Sequence, residues 1–192
     1  MDIKDKNIGF AITGSFCTFS KIIPQISLLT ESGANVYPIM SEIAYSTDTR
    51  FGTAKDFVDR IEEICGREVI HSVKSAEPIG PKHFLDAMIV APATGNTIAK
   101  MALGITDSCV TMAAKANLRN LEPLIIAIST NDALGASAKN IGMLMNMKNV
   151  YFVPFGQDDP VNKPKSIVAD MTKIKDTLEY AMDRKQIQPL FV

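Results

Sequence analysis

Residues 84–107 read FLDAMIVAPATGNTIAKMALGITD, and the order of residue types predicts a strand, a sharp corner and a helix. Ala87 to Ala91 is a short apolar run suited to a buried strand. Pro92 has no N–H to offer a sheet and is expected to end the ladder. Ala93, Thr94 and Gly95 follow, small enough for the backbone to approach a bound group. Beyond them Ile98, Met101, Ala102 and Ile105 recur at helical spacing. Asn96 and Thr97 therefore fall where strand hands over to helix. The unpaired N–H groups of a first helical turn attract anions. Asn96 can donate and accept, and Thr97 carries a hydroxyl. Two readings stand for this corner: an anion site, or an ordinary turn in which Asn96 caps the helix.

Upstream, Asn7–Thr13 reads as a first strand, ended by Gly14 and Ser15. Phe16 to Phe19 lead into a helix capped by Thr18 or Ser20, with Ile22, Ile23, Ile26 and Leu29 as its buried stripe. Pro24 is expected in its first turn. Asn35–Met40 is the second strand. Gly9 and Gly14 do not make a G-x-G-x-x-G, so a nicotinamide site on this chain is disfavoured. Ser15 either donates to a phosphate or caps the helix. Ser41 is a cap, and the polar run to Arg50 offers a cation that suits a carboxylate as well as solvent. Thr53–Cys65 is amphipathic, with Phe57, Ile61 and Ile64 inward and Gly66 closing it. Glu68–Ile70 is a short strand and Lys74–Lys82 a loop. His83 precedes a strand, at the end away from ligands in a parallel sheet, and reads as structural.

Downstream, Asp107 or Ser108 caps a helix through Cys109, Val110, Ala113 and Ala116, with Lys115 on it. Its alanines suit close packing, as between copies of an oligomer. Leu124–Ile128 is an apolar strand ending in Ser129-Thr130-Asn131-Asp132, Ala133–Met147 a weaker helix, and Val150–Pro154 the last strand. Residues 155–166 are turn-rich and polar, Ile167–Tyr180 reads as a terminal helix, and the tail KQIQPLFV is expected to dock.

Strands alternating with helices predict an α/β fold: one Rossmann-like (flavodoxin-like) domain over 1–192, its parallel sheet covered on both faces. Residues 156–192 would add a C-terminal turn segment, helix and tail. This topology gathers Ser15, Ser41, Asn96 and Thr97 at one sheet edge, with Asn131 joining them.

Hydrophobic residues make up 46% of the 192, enough for a substantial core. Twenty basic against 21 acidic residues give a net charge of -1, which offers nucleic acid no attraction. No signal pattern or bilayer-length apolar run is read, so a soluble, cytoplasmic protein is expected. Cys17, Cys65 and Cys109 have no metal-ligand spacing and read as free buried thiols. Two histidines exclude a histidine-rich metal centre, and no metal is expected.

Pro92-Ala93-Thr94-Gly95-Asn96-Thr97, followed by Gly104-Ile105-Thr106-Asp107, resembles the flavin-binding motif of the homo-oligomeric flavin-containing cysteine decarboxylase family. That family also includes pantothenoylcysteine decarboxylases and flavin prenyltransferases. Over residues 7 to 155 the resemblance implies an FMN pocket at a contact between copies of a homo-oligomer, with Gly14, Ser15, Ser41, Ala93, Asn96, Thr97 and Ser108 holding the cofactor. Arg50, Lys115 and Asn131 would meet a small dicarboxylate substrate. Stretches such as ITGSFCTF and PIMSEIAY extend the similarity over the whole chain to a sporulation branch of the family. That branch implies a mother-cell protein, paired with an NAD(P)-binding partner chain, that oxidises a dihydrodipicolinate-derived ring to pyridine-2,6-dicarboxylate. The decarboxylases' catalytic histidine would fall near Pro78, with His83 out of register, and their Pro-x-Met-Asn-x-x-Met clamp is replaced by Ser129–Leu134. The lysine ending their first motif is Ser20 here, beside Lys21. Cysteine decarboxylation is thus disfavoured, and no catalytic residue is assigned. A structural or regulatory subunit on a degenerate flavoprotein scaffold, or a flavin-dependent decarboxylase of another acid, are the alternatives.

Overall fold

Apolar runs bounded by turn residues become strands, and the amphipathic runs between them become the helices that cover the sheet. The structure, a computed structural model, describes residues 2–192. In chain order it contains β1 (Asn7–Ile12), α1 (Phe19–Glu31), β2 (Asn35–Met40), α2 (Glu42–Ser46) and α3 (Ala54–Cys65). Two single-turn helices follow, α4 (Val73–Ala76) and α5 (Ile79–Lys82), then β3 (Ala87–Ala93), α6 (Gly95–Ala102), α7 (Cys109–Arg119) and β4 (Leu124–Thr130). The chain ends with α8 (Ala138–Met145), β5 (Val150–Phe152), β6 (Phe155–Gly156), β7 (Ile167–Ala169) and α9 (Ile174–Met182).

The sheet is mixed and mostly parallel, and it forks. Strands β2, β1, β3 and β4 lie side by side in parallel, Ile8 pairing Val36 and Ala87. The first half of β4 then pairs β5 in parallel, while Ser129 and Thr130 at its far end pair β7 antiparallel. Proline explains the fork. Pro154 cannot donate to a ladder, so β5 stops, and the exposed end of β4 is taken by the returning β7. Helices α1 and α9 cover one face of the sheet and α6 and α7 the other. The central strands are buried on both sides, as β3 is at every residue.

Several expectations are corrected. Pro92 does not end its strand: β3 runs on through a cis Ala91–Pro92 peptide, and a register shift lets Ala93 pair Ile128. Pro24 lies inside α1. It is exposed, and its lack of an N–H removes one bond of the helix ladder. Residues 74–82 are not loop, because Ser72 and Ser75 cap α4 reciprocally and buried Ile79 anchors α5. Ile167–Ala169 is strand rather than the start of a helix, as its β-branched pair fits the vacant edge of β4. The helix after β4 begins only at Ala138, because Asn131–Ser137 is a turn tied by Asp132. The tail docks as expected: Leu190 and Val192 exchange backbone bonds with Phe155, whose ring meets Phe191 edge-on at 5.2 Å. No described helix is long and apolar enough to cross a membrane.

Candidate functional site

The carboxyl ends of β1, β3 and β4 open on a cleft of about 520 Å³. Its walls are Gly14, Ser15, Cys17 and Thr18 between β1 and α1, Lys21 in the first turn of α1, Thr94 beyond β3, and Ser129 to Asp132 at and just past the end of β4. Asp158 and Lys163 of the segment between β6 and β7, with Val168, close one side. The sheet fork brings that segment here, since β7 pairs beside Ser129.

Three hydroxyls meet at the cleft. Ser15 Oγ lies 2.8 Å from Ser129 Oγ and 3.0 Å from Thr18 Oγ1, and the latter two are 3.1 Å apart. Ser15 and Thr18 occupy the N-cap positions of a 3-10 turn and of α1, yet neither makes a side-chain cap bond. Their hydroxyls are therefore held by one another and by Ser129, and each can turn its proton towards a ligand. Lys21, exposed one turn on, adds a cation.

Carboxylates complete the lining. Asp132 accepts from Thr130 Oγ1 at 2.5 Å and Ser137 Oγ at 3.0 Å. Gly95 packs against this group: a Cβ there would lie 2.8 Å from Asp132 Oδ1, Ser137 Oγ and Thr130 Oγ1 alike. Asp158 pairs with Lys163 at 3.2 Å. A hydrogen bond from Ser166 and then the Lys163 ammonium hold its carboxyl below the usual range against the opposing effect of burial.

The Asn96 corner is built differently. Thr94, not Asn96, caps α6, accepting from Thr97 N at 3.4 Å and lying 3.1 Å from Thr97 Oγ1. Buried Thr13 donates to the Pro92 carbonyl at 2.6 Å and accepts from Thr94 N at 3.1 Å. Asn96 is exposed on the first turn of α6, Thr97 buried beneath it, and Ala93 buried in β3. Gly14, Ser15 and Asn131 line the cleft. Ser41 caps α2 through Ala44 N at 3.3 Å, and Ser108 caps α7 in a reciprocal box with Thr111. Arg50 is exposed, its guanidinium 4.9 Å from the Phe51 ring centre, and Lys115 lies on α7 beside a separate groove. Thr13, Thr18, Lys21, Ser129, Thr130, Asp132, Asp158 and Lys163 are site or supporting residues that the sequence alone does not mark. The signal available was the polar run Ser129–Asp132 directly after an apolar strand.

Neither histidine reaches the cleft. His71 stacks on Tyr45 at 4.0 Å, and His83, in left-handed backbone, meets Glu122 at 3.2 Å. Cys17 is exposed at the cleft mouth, against the expectation of burial. Burial pushes the Cys65 thiol up to about 12 and that of Cys109, which donates to the Met40 carbonyl, to about 11.

Residues 1–184 match the family described as Flavoprotein. The dipicolinate synthase B subunit of Bacillus subtilis (strain 168) is 49% identical over 190 residues, covering 99% of this chain and 95% of that one. The crystal structure of the dipicolinate synthase B subunit from Bacillus halodurans C superposes with a TM-score of 0.92 at 45% identity, over 100% of this chain and 98% of that one. The FMN-dependent cysteine decarboxylase SpaF shares the fold, with a TM-score of 0.69 at 17% identity over 95% and 98% of the two chains.

Proposed function

We infer the function from a family membership: the chain belongs to the flavoprotein family. We propose that it is the B subunit of a dipicolinate synthase, a soluble protein of the cytoplasm of a sporulating mother cell. With the A subunit of that synthase it would oxidise a dihydrodipicolinate-derived cyclic dicarboxylate to pyridine-2,6-dicarboxylate. The ring gives up a hydride and a proton in that change. Side chains cannot accept a hydride, so FMN on this chain or NAD(P) on the A subunit would supply the acceptor when bound.

The observation that carries the ligand pocket is the hydroxyl cluster of Ser15, Thr18 and Ser129 in a cleft of about 520 Å³ beside Lys21. These groups fit the phosphate of FMN, and Asp132 and Asp158 fit hydroxyls of its ribityl chain. No aromatic side chain lines the cleft, whose apolar side chains are Val168 and Cys17. The bed for a flavin ring would therefore come from a second copy in a homo-oligomer, near exposed Ile43, Phe51 and Asn96. Ser41, Ala93, Thr97 and Ser108 support the corners from within, and Asn131 in the cleft and exposed Arg50 are the remaining candidates for substrate carboxylates, whereas Lys115 lies at a separate groove.

Titrating FMN into the purified protein tests the pocket. Saturable binding is expected, with affinity falling about tenfold in Ser129→Ala as one charge-assisted hydrogen bond is lost. No flavin absorbance and no binding would remove FMN. Formation of pyridine-2,6-dicarboxylate by each of the two chains separately and by both together tests the role. Activity only in the mixture is expected, and full activity from the isolated A chain would overturn it. The position of both histidines outside the cleft favours a second reading, a structural or regulatory subunit that shapes its partner's site. Asn96→Ala separates the two, since lost activity with assembly intact requires a direct site.

A further inference from the structure

A second cavity of about 380 Å³ lies far from the cleft, between the end of α6 and the outer side of α7. Leu124, the first residue of β4, forms part of its floor, whereas the hydroxyl cleft is lined by the last two, Ser129 and Thr130. The two are thus separated by the length of that strand, about 20 Å at the usual rise per residue. Met101, Ile105, Leu118 and Met147 supply apolar walls. Lys115 and Arg119, one turn apart on α7, supply the charge, and no Asp or Glu lines the cavity. Both cations are exposed, and among the described residues neither forms an ion pair. The Arg119 guanidinium is seated against Gly80 of α5, where a Cβ would lie 2.3 Å from Nη2.

We propose that this cavity binds a small aromatic carboxylate, separately from the cleft. Its chemistry is one-sided. Apolar walls favour a ring, and methionine thioethers such as those of Met101 and Met147 make favourable contacts with aromatic edges. Lys115 and Arg119 fit a carboxylate, which Arg119 can meet with two parallel N–H groups. The volume is that of a site for one small molecule. The ligand class includes free aromatic acids and the proposed product, and the proposal does not depend on whether the cleft binds flavin.

Methionine-methyl NMR of the full chain tests it, with benzoate and pyridine-2,6-dicarboxylate as the two probes. At least one probe should move the Met101 and Met147 signals saturably while those of Met40 and Met88, deep in the core, stay still. The probe that acts identifies the source. Lys115→Gln should weaken binding about tenfold, the worth of one charge-assisted bond. Because Lys115 is exposed, unchanged core methionine signals in that variant will show an intact fold. Neither probe acting, or equal affinity in Lys115→Gln, overturns the proposal. So does movement of the same two signals on dilution without any probe, because the groove would then be covered by a second copy.

Discussion

Two strand-to-helix corners stand next to each other at the carboxyl edge of the sheet, and they use the same chemistry in opposite ways. At the β3–α6 corner the hydroxyls are consumed by the protein itself. Thr94 caps α6, Thr97 lies on Thr94, and Thr13 ties the backbone at Pro92 and Thr94. At the β1–α1 corner Ser15 and Thr18 hold the cap positions without capping, and their hydroxyls turn to each other and to Ser129 beside the cleft. One corner is framework, while the hydroxyls of the other pair with one another and can be redirected to a ligand without stranding a backbone group. A flavoprotein-like fold needs both, since a ligand can be held only where neighbouring elements are already fixed.

The largest effect that would sharpen this contrast comes from the two glycines. Gly95→Ala places a Cβ 2.8 Å from three oxygens around Asp132, a distance at which something must move. It should cost about 3 kcal/mol, the upper part of the overpacking range. At Gly14 the added Cβ would meet only Ile43 and Phe16 at 3.5 and 3.7 Å, ordinary contact. Gly14→Ala should change stability by less than about 0.5 kcal/mol. Denaturant midpoints of the two variants check this, and equal losses would dissolve the distinction between the corners.

Next in size is Thr13→Val. Thr13 is 1% exposed, and loss of its hydroxyl leaves the buried Pro92 carbonyl and the Thr94 N–H without that partner. Equilibrium unfolding should register about 2 kcal/mol, the desolvation cost of unpaired buried polar groups. Smaller again is Thr94→Ala, which removes a helix cap and should lose about 1 kcal/mol. Ser15→Ala, the matching change at the other corner, should lose less than about 0.5 kcal/mol because Thr18 and Ser129 can still pair at 3.1 Å. If Ser15→Ala proves as costly as Thr94→Ala, the open corner is framework too.

The same contrast explains what could be read from the chain alone. Periodicity placed the four long parallel strands and the helices between them, because each is both apolar enough and long enough for its spacing to be unambiguous. Among the short elements, β5 at Val150 is legible but others are not. Residues 167–169 form a strand only because Pro154 frees the edge of β4 for them, a tertiary fact that no local pattern holds. The corner after β3 carries a recognisable motif, yet the motif does not say which hydroxyls the protein keeps for its own caps. Whether a serine caps a helix or faces a ligand depends on the neighbour it meets, and Ser15 meets Ser129, 114 residues away. Asp158 and Lys163 reach the cleft only through the sheet fork, so they had no signal at all.

The smallest expected effect leaves stability alone and reports on the open corner through its thiol. Cys17 is exposed between Ser15 and Thr18 at the cleft mouth, while Cys65 and Cys109 are buried. Burial raises those two thiols to about 12 and about 11, so the fold favours their protonated forms. Their contribution to stability is complete below the ordinary thiol range and is lost as pH climbs through it towards those values. At pH 8 they are therefore both inaccessible and protonated, and a thiol reagent should modify one cysteine in the native protein against three after denaturation. Labelling counted by mass spectrometry, repeated in Cys17→Ser, identifies the residue. Saturating inorganic phosphate or FMN should slow Cys17 labelling by occupying the cleft. Protection of that thiol with no change in unfolding of the ligand-free protein is the behaviour expected of a corner that serves a ligand. Reaction of Cys65 or Cys109 at the same rate as Cys17 would show that the two faces of the sheet are less closed than their packing implies.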